Sequence, residues 1–278
     1  MPELPEVEVL ARQADFFLRD SIVEDIVFYR ENLRYPLEID AIKLLLLHQP
    51  IKRVFRRAKY MLMESPVGHV YFHFGMSGNF LKSESKSPPL PHTHFSLAYR
   101  HKNNRKGFFH FVDPRRFGHI APILGPLLAD PLIKRQGIEP LENTKAVAQA
   151  LRKQAKGKTS PIKSLLLDGS LVCGVGNIYA SEALFLARLH PLTPAGEITA
   201  RGFTRLANQI ALVLQSAIAS GGTSFRDFKG TDGRPGYFET KLMVYGKKAE
   251  ACSICKTLIE VVKISGRSTF YCPKCQPW

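Results

Sequence analysis

The chain has 278 residues, 45% of them hydrophobic, with 39 Lys and Arg against 24 Asp and Glu, a formal net charge of +15. At about 100–200 residues per domain this length suits two domains, and so basic a balance points to a polyanionic partner held by phosphate neutralisation and counterion release. No apolar run reaches the ~18 residues needed to span a bilayer, and acids stand where a secretory signal needs basic residues, so the expectation is a cytosolic protein acting on nucleic acid.

The chain opens Met-Pro-Glu-Leu-Pro-Glu. Removal of Met1 would make Pro2 the amino terminus, a secondary amine whose reference is an α-amino group with a pKa of about 7.7–8.0. Such an amine can attack an aldehyde-like carbon and yield a cationic iminium, the electron sink of Schiff-base catalysis. Val7, Leu10, Ala11, Ala14, Phe17 and Leu18 then recur at helical spacing, which predicts a helix with Pro5 in its first turn. Glu3 and Glu6 would share a face of it. A helix start favours ionised carboxylates, so a proton-donating Glu3 requires burial. On these residues alone, a processed start followed by an ordinary helix is a sufficient reading.

From about 21 to 124, short apolar and alternating runs occur at Ile51–Phe55, Tyr60–Glu64, His69–Phe74, Phe95–Tyr99 and Gly107–Val112, separated by turn formers. This predicts an all-β sandwich or barrel, with a surface loop over Ser83–Pro91. The run Leu44–Leu47 reads as buried helix. From about 143 to 221 the signals are helical: Asn143 or Thr144 caps Lys145–Gln154, Ser160-Pro161 starts a second helix that ends at Asp168-Gly169, Gly174–Asn177 opens a third to Leu189, and Thr199 caps a long helix to Ser220. Helix pairs joined by Gly-rich turns belong to the broad helix-turn-helix class and are also ordinary packing units.

Four of the five cysteines are ordered as Cys252-x2-Cys255 and Cys272-x2-Cys275, with sixteen residues between the pairs. This is the spacing of a four-thiolate structural zinc site, and two disulfides are the alternative disfavoured by a reducing compartment. Between the pairs, Leu258–Ile264 and Thr269–Tyr271 read as strands flanking the turn Ser265–Ser268, which puts Arg267 near the tip of a β-hairpin finger, a fair position for phosphate contact. Cys173 reads as a buried thiol.

These elements, in this order, resemble the formamidopyrimidine-DNA glycosylase family. The resemblance rests on Pro2–Glu8, Arg57–Tyr60, His73–Gly78, Asp113–Gly118, Gly174–Glu182, Asp232–Phe238 and the four-cysteine finger, and it runs the whole length. It implies a multidomain α and β protein: an N-terminal catalytic β-sandwich with an N-terminal helix (1–124), a linker (125–142), a helix–two-turn–helix domain with a lesion-capping loop (143–239) and a β-hairpin zinc finger (240–278). It implies one structural zinc, a partner of double-stranded DNA containing oxidised bases or abasic sites, no membrane and a monomer.

The resemblance also implies roles. Pro2 would attack the anomeric sugar carbon, Glu3 would protonate the sugar ring oxygen, and Glu6 would support the site. Lys59 and Arg267 would act on phosphates close to the chemistry. Met76, Arg115 and Phe117 would fill the gap left by an extruded base, since flipping costs a few kcal/mol of lost stacking. Asn177 and His92 would contact DNA, and Lys163 would approach the lesion. The segment from about Gly222 to Tyr237 would close over the extruded base. The implied reaction is excision of oxidised purines such as 8-oxoguanine and formamidopyrimidines, followed by β,δ-elimination. Gly169, the Glu142–Ala148 stretch, Phe74 and Phe225 depart from the family pattern. Leu4 and Asp232–Phe238 argue against the sister class, similar to endonuclease VIII, that prefers oxidised pyrimidines. An intact Pro2-Glu3 argues against a non-catalytic zinc-finger DNA-binding protein.

Overall fold

The computed structural model describes residues 2–84, 90–223 and 229–278. Met1 and Phe225 therefore lie outside the described residues, as do the centres of the expected surface loop and of the expected lesion-capping loop. The chain divides into two compact units: residues 1–134 with Ser220–Glu239, and Arg135–Ala219 with Thr240–Trp278.

The first unit begins with helix α1 (Leu4–Leu18) and continues through β1 (Ser21–Phe28), α2 (Ile39–Leu46), β2 (Arg53–Arg57), β3 (Tyr60–Ser65), β4 (Gly68–His73), β5 (Asn79–Ser83), β6 (Thr93–His101), β7 (Lys106–Val112), β8 (His119–Ile123) and the short α3 (Pro131–Lys134). The strands form two antiparallel four-stranded sheets, ordered β1-β6-β7-β5 and β2-β3-β4-β8. Their inner faces supply one aromatic core, as strand alternation requires. Phe80 stacks on Phe109 at 4.7 Å between centroids, and Phe72 meets Phe80 at 5.3 Å and Phe95 at 5.6 Å. Each such ring is worth about 1.5–3 kcal/mol of apolar burial. The expected sandwich is therefore present.

Helix α1 buries Val7, Leu10, Ala11, Ala14 and Leu18 against this core. Two polar ties fix its direction. Asp15 Oδ1 accepts the Val54 N–H at 2.6 Å, and the Arg56 Nε donates to Glu8 Oε2 at 2.7 Å. Rising numbers on β2 thus meet falling numbers on α1, and the Pro2 end of the helix points toward the Ala58-Lys59 turn.

The second unit contains α4 (Thr144–Ala155), α5 (Ile162–Leu166), α6 (Asn177–Leu186), α7 (Ala200–Ala219) and the hairpin β9 (Glu260–Ile264) with β10 (Arg267–Tyr271). The caps fall where the sequence put them: Asn143 Oδ1 accepts from Ala146 N at 2.9 Å, and Thr199 Oγ1 from Gly202 N at 3.1 Å. Helix α7 packs its stripe of Phe203, Leu206, Ile210 and Leu214 against α4 and α6.

Two boundaries lie elsewhere than in the sequence reading. Ser220–Glu239 groups with the first unit and not with the helices, and the second unit already begins at Arg135, within the expected linker. The first difference follows from long-range hydrogen bonds to backbone groups of that segment. Glu6 Oε1 accepts from Thr223 N, Gln13 Oε1 from Thr231 N, and Asn79 Oδ1 from Lys229 N, while Lys82 N donates to Thr231 O. Among the described residues, no helix is long and apolar enough to cross a membrane.

Candidate functional site

The head of α1 is a polar site in a buried setting. Pro2, Glu3 and Glu6 are all buried, with Glu3 and Glu6 at 1% exposure. Glu6 is shared between two backbones. Its Oε2 accepts the Glu3 N–H at 2.8 Å, closing one half of a capping box, and its Oε1 accepts the Thr223 N–H at 2.8 Å. A single carboxylate thus ties the residue after Pro2 to the start of the segment expected to cover an extruded base.

Lys59 sits half-buried on the β2–β3 turn, whose Ala58 carbonyl accepts from Arg56 at 3.1 Å. His73, opposite Tyr60 in the ladder, is held neutral: burial, then the cations of Lys59 and Arg34, push its pKa down to about 4. Its neutral Nδ1 accepts the Gly75 N–H at 3.3 Å. Met76 follows on that turn, 38% exposed, and Phe117 on the neighbouring turn is 43% exposed, with the Arg115 guanidinium 4.9 Å from its ring centroid. Leu33, Arg34, His73, Met76, Arg115 and Phe117 line a cavity of about 560 Å³. Large side chains held out into solvent beside arginines suit a wedge against stacked bases.

Two residues that the sequence reading missed hold these turns together. Ser77 Oγ donates to Asp113 Oδ1 at 2.6 Å and accepts the Arg115 N–H at 3.2 Å, while Asp113 Oδ2 accepts the Gly118 N–H at 2.7 Å. Asp113 is fully buried, and its own N–H donates to the carbonyl of exposed His92. The available signal was an acid closing an apolar strand immediately before a proline turn.

In the second unit, Asn177 opens α6 and donates from Nδ2 to the Ser268 carbonyl at 2.9 Å, beside exposed Arg267. Lys163 is fully buried. Its ammonium donates to Ser181 Oγ at 3.0 Å and to Thr269 Oγ1 at 2.8 Å. Those hydroxyls donate onward to the carbonyls of Asn177 and Arg267, at 2.9 and 3.3 Å. In these bonds the side chain acts as an internal strut, because a buried ammonium must spend its donors on nearby oxygens.

The four finger thiols are brought together. All four Sγ atoms lie within 4.8 Å of one another, with 3.4 Å between Cys255 and Cys272 and 3.9 Å between Cys252 and Cys275. A tetrahedron with Zn–S bonds of about 2.3 Å has edges of about 3.8 Å, so the donor set fits one structural zinc with no open position. Glu182 anchors the finger to α6 by accepting from the N–H groups of Met243, Val244 and Tyr245. Burial pushes its pKa up, and those three donors pull it back.

A two-sheet unit headed by a buried proline–glutamate pair, with a helical unit carrying a four-thiolate hairpin finger, defines a zinc-finger protein of the nucleic-acid-processing class. The model for the Formamidopyrimidine-DNA glycosylase N-terminal domain matches residues 1–120, that for the Formamidopyrimidine-DNA glycosylase H2TH domain residues 136–229, and that for the Zinc finger found in FPG and IleRS residues 249–277. The chain belongs to the formamidopyrimidine-DNA glycosylase family. It is 42% identical over 279 residues to the Formamidopyrimidine-DNA glycosylase of Photobacterium damsela subsp. piscicida, covering 99% of this chain and 100% of that one. A Lactococcus lactis FPG mutant in complex with a Fapy-dG containing DNA superposes with a TM-score of 0.89 at 30% identity, covering 100% of both chains. The MutM (FPG) protein from Thermus thermophilus superposes with a TM-score of 0.84 at 35% identity, covering 99% of this chain and 98% of that one.

Proposed function

We propose that this chain excises oxidised purines from duplex DNA and then cleaves the strand at the resulting abasic site. The observation that carries the reading is the buried Pro2-Glu3-Glu6 head of α1, bonded through Glu6 to Thr223. With Met1 removed, the Pro2 nitrogen attacks C1′ of the damaged nucleotide and the glycosidic bond breaks, releasing the base. Glu3 protonates the ring oxygen O4′, the sugar opens, and an iminium forms between Pro2 and C1′. The iminium acidifies the C2′ hydrogens. Loss of one expels the 3′ phosphate, and a second elimination expels the 5′ phosphate.

Met76, Arg115 and Phe117 fill the duplex gap, and Lys59, His92, Asn177 and Arg267 grip the backbone. The net charge of +15 supplies the general attraction to the duplex. Zinc is held by Cys252, Cys255, Cys272 and Cys275 and stabilises the finger without touching the reaction. The protein works as a monomer in the cytoplasm, at the nucleoid.

Borohydride reduction during turnover tests the reading, with duplexes carrying 8-oxoguanine, an oxidised pyrimidine or an abasic site. The expected adduct maps to the terminal proline and forms fastest with 8-oxoguanine among the damaged bases. Glu3→Gln keeps duplex binding, loses base excision, and retains more cleavage at the pre-formed abasic site. Trapping on an internal lysine with Pro2 dispensable refutes the nucleophile, and preference for the oxidised pyrimidine refutes the substrate class.

A further inference from the structure

The first unit has a second cavity, of about 530 Å³, at the far end of α1 from Pro2. It is lined by Phe16, Phe17, Lys82, Tyr99, Arg105 and Lys106. Leu4 and Phe16 are about 18 Å apart along the helix axis at 1.5 Å per residue, so one nucleotide cannot reach both ends. None of these residues serves the chemistry proposed for Pro2.

Its lining joins two features. The first is aromatic: Phe16 is 74% exposed although its edge-on neighbour Phe17, 5.0 Å away, packs toward the core. Tyr99 backs the cavity from β6, and Gly107 opposite it on β7 leaves room for that ring, since a Cβ there would meet the Tyr99 hydroxyl oxygen at 2.7 Å. The second is cationic. The Lys82 ammonium lies 4.7 Å from the Phe17 centroid, and Lys106 and Arg105 stand on the rim. Glu84 is the one carboxylate in the lining, itself 87% exposed and 3.3 Å from Lys82. Lys106 shares Glu24 with Arg100, while Arg105 makes no side-chain ion pair or hydrogen bond among the described residues. The remaining lining residue, His101, is turned to Asn103 at 3.0 Å. An exposed ring beside an arginine without a side-chain ion pair among the described residues, and a lysine that shares its carboxylate with Arg100, recognises a planar base joined to phosphate, by stacking and by charge.

We propose that this cavity is a second nucleotide-binding site, taking a nucleobase against Phe16 and its phosphate on Arg105 and Lys106, independent of the site at Pro2. The ligand is either a free nucleotide or one nucleotide of a single strand, which present the same chemistry.

Calorimetric titration of the full, zinc-loaded chain tests this with three probes: ATP, a short oligothymidylate and inorganic tripolyphosphate. Phe16→Ala and Arg105→Glu change exposed positions, so thermal midpoint and 8-oxoguanine excision stay at their parent values. ATP or the oligonucleotide binds saturably, and each variant weakens that binding at least about fivefold, the lower end for one lost base–aromatic stack. Tighter binding of ATP assigns a free nucleotide, and tighter binding of the oligonucleotide assigns a strand; either upholds the site. Absence of saturable binding by both overturns it, as does binding that neither variant weakens. Tripolyphosphate binding as tightly as ATP, with Phe16→Ala silent, also overturns it by reducing the cavity to a phosphate patch.

Discussion

Ser77 Oγ and Asp113 Oδ1 are joined by a 2.6 Å hydrogen bond between side chains 36 residues apart. The bond clasps the turn that carries Met76 to the turn that carries Arg115 and Phe117. Both partners are buried, so the carboxylate cannot recover the lost bond from bulk water. The exposed side chains of Met76, Arg115 and Phe117 therefore rest on a hydrogen-bonded base, which their proposed role as a wedge in a base stack requires.

Ser77→Ala should cost about 1–3 kcal/mol of stability, the usual penalty for an unsatisfied buried acceptor. It should also slow excision of a stacked 8-oxoguanine about tenfold, equivalent to ~1.4 kcal/mol at the transition state. Cleavage of a single strand with a pre-formed abasic site needs no wedge and should be unchanged. Single-turnover rates on the two substrates check this. Equal slowing on both would place the clasp's role outside base extrusion.

Gly75 is required by both its backbone and its surroundings. It has φ +57°, and a Cβ there would lie 2.4 Å from the Phe117 carbonyl carbon and 2.5 Å from its oxygen. Gly157 has φ +71° with nothing within 4 Å, so it isolates the backbone cost of about 1–2 kcal/mol. Gly75→Ala should lose more than about 3 kcal/mol, since overpacking adds to that cost, and Gly157→Ala about 1 kcal/mol. Urea unfolding of both variants is the measurement, and similar losses would mean that the Phe117 turn yields freely.

The sandwich and the finger were legible where local pattern and tertiary role agree. β4 alternates cleanly, and the cysteine spacing states its own geometry. β1 was missed because a register shift between Val23 and Asp25 breaks its alternation, β5 because its adjacent Phe80 and Leu81 do not alternate, and β8 because Pro122 interrupts it. Leu44–Leu47 read as buried helix, yet Leu44 of α2 is 69% exposed while Leu45 and Leu46 are buried. In the site, the Pro2-Glu3 pair was visible as chemistry but not as a buried cluster, because Thr223 is 217 residues from Glu6. The setting of Lys163 was hidden for the same reason: its hydroxyl partners lie 18 and 106 residues away.

His73 makes the first unit acid-sensitive. Its pKa falls from an ordinary 6.5 to about 4 in the folded chain, so the unfolded state takes up its proton first. Its stabilising contribution is complete above pH 6.5 and is lost as pH falls toward 4. By pH 4.5 the loss from this ring is about 2.5 kcal/mol. Protonation also turns Nδ1 into a donor facing the Gly75 N–H, which breaks the bond that sets the Met76 turn. His73→Gln should shrink the difference in unfolding free energy between pH 7 and pH 4.5 by about that amount. An unchanged pH dependence would assign acid sensitivity to other groups.

Lys163 offers the sharpest separation of a strut from a ligand contact. Its ammonium bonds Ser181 and Thr269, and through them braces the backbones of Asn177 and Arg267. Lys163→Met keeps the length and apolar stem but loses two charge-assisted hydrogen bonds to buried hydroxyls, which retain their bonds to the carbonyls of Asn177 and Arg267, at about 1.5–3 kcal/mol for each bond lost. The variant should unfold its second unit at lower urea and bind damaged and undamaged duplexes more weakly by the same factor. Its affinity should keep the parent dependence on salt, because no phosphate contact has been removed. Arg267→Ala, by contrast, should lower the slope of log K against log salt by about one. Binding measured across a salt series for both variants decides the matter. A slope reduced by about one in Lys163→Met would make this lysine a phosphate ligand, and the strut would be the wrong description.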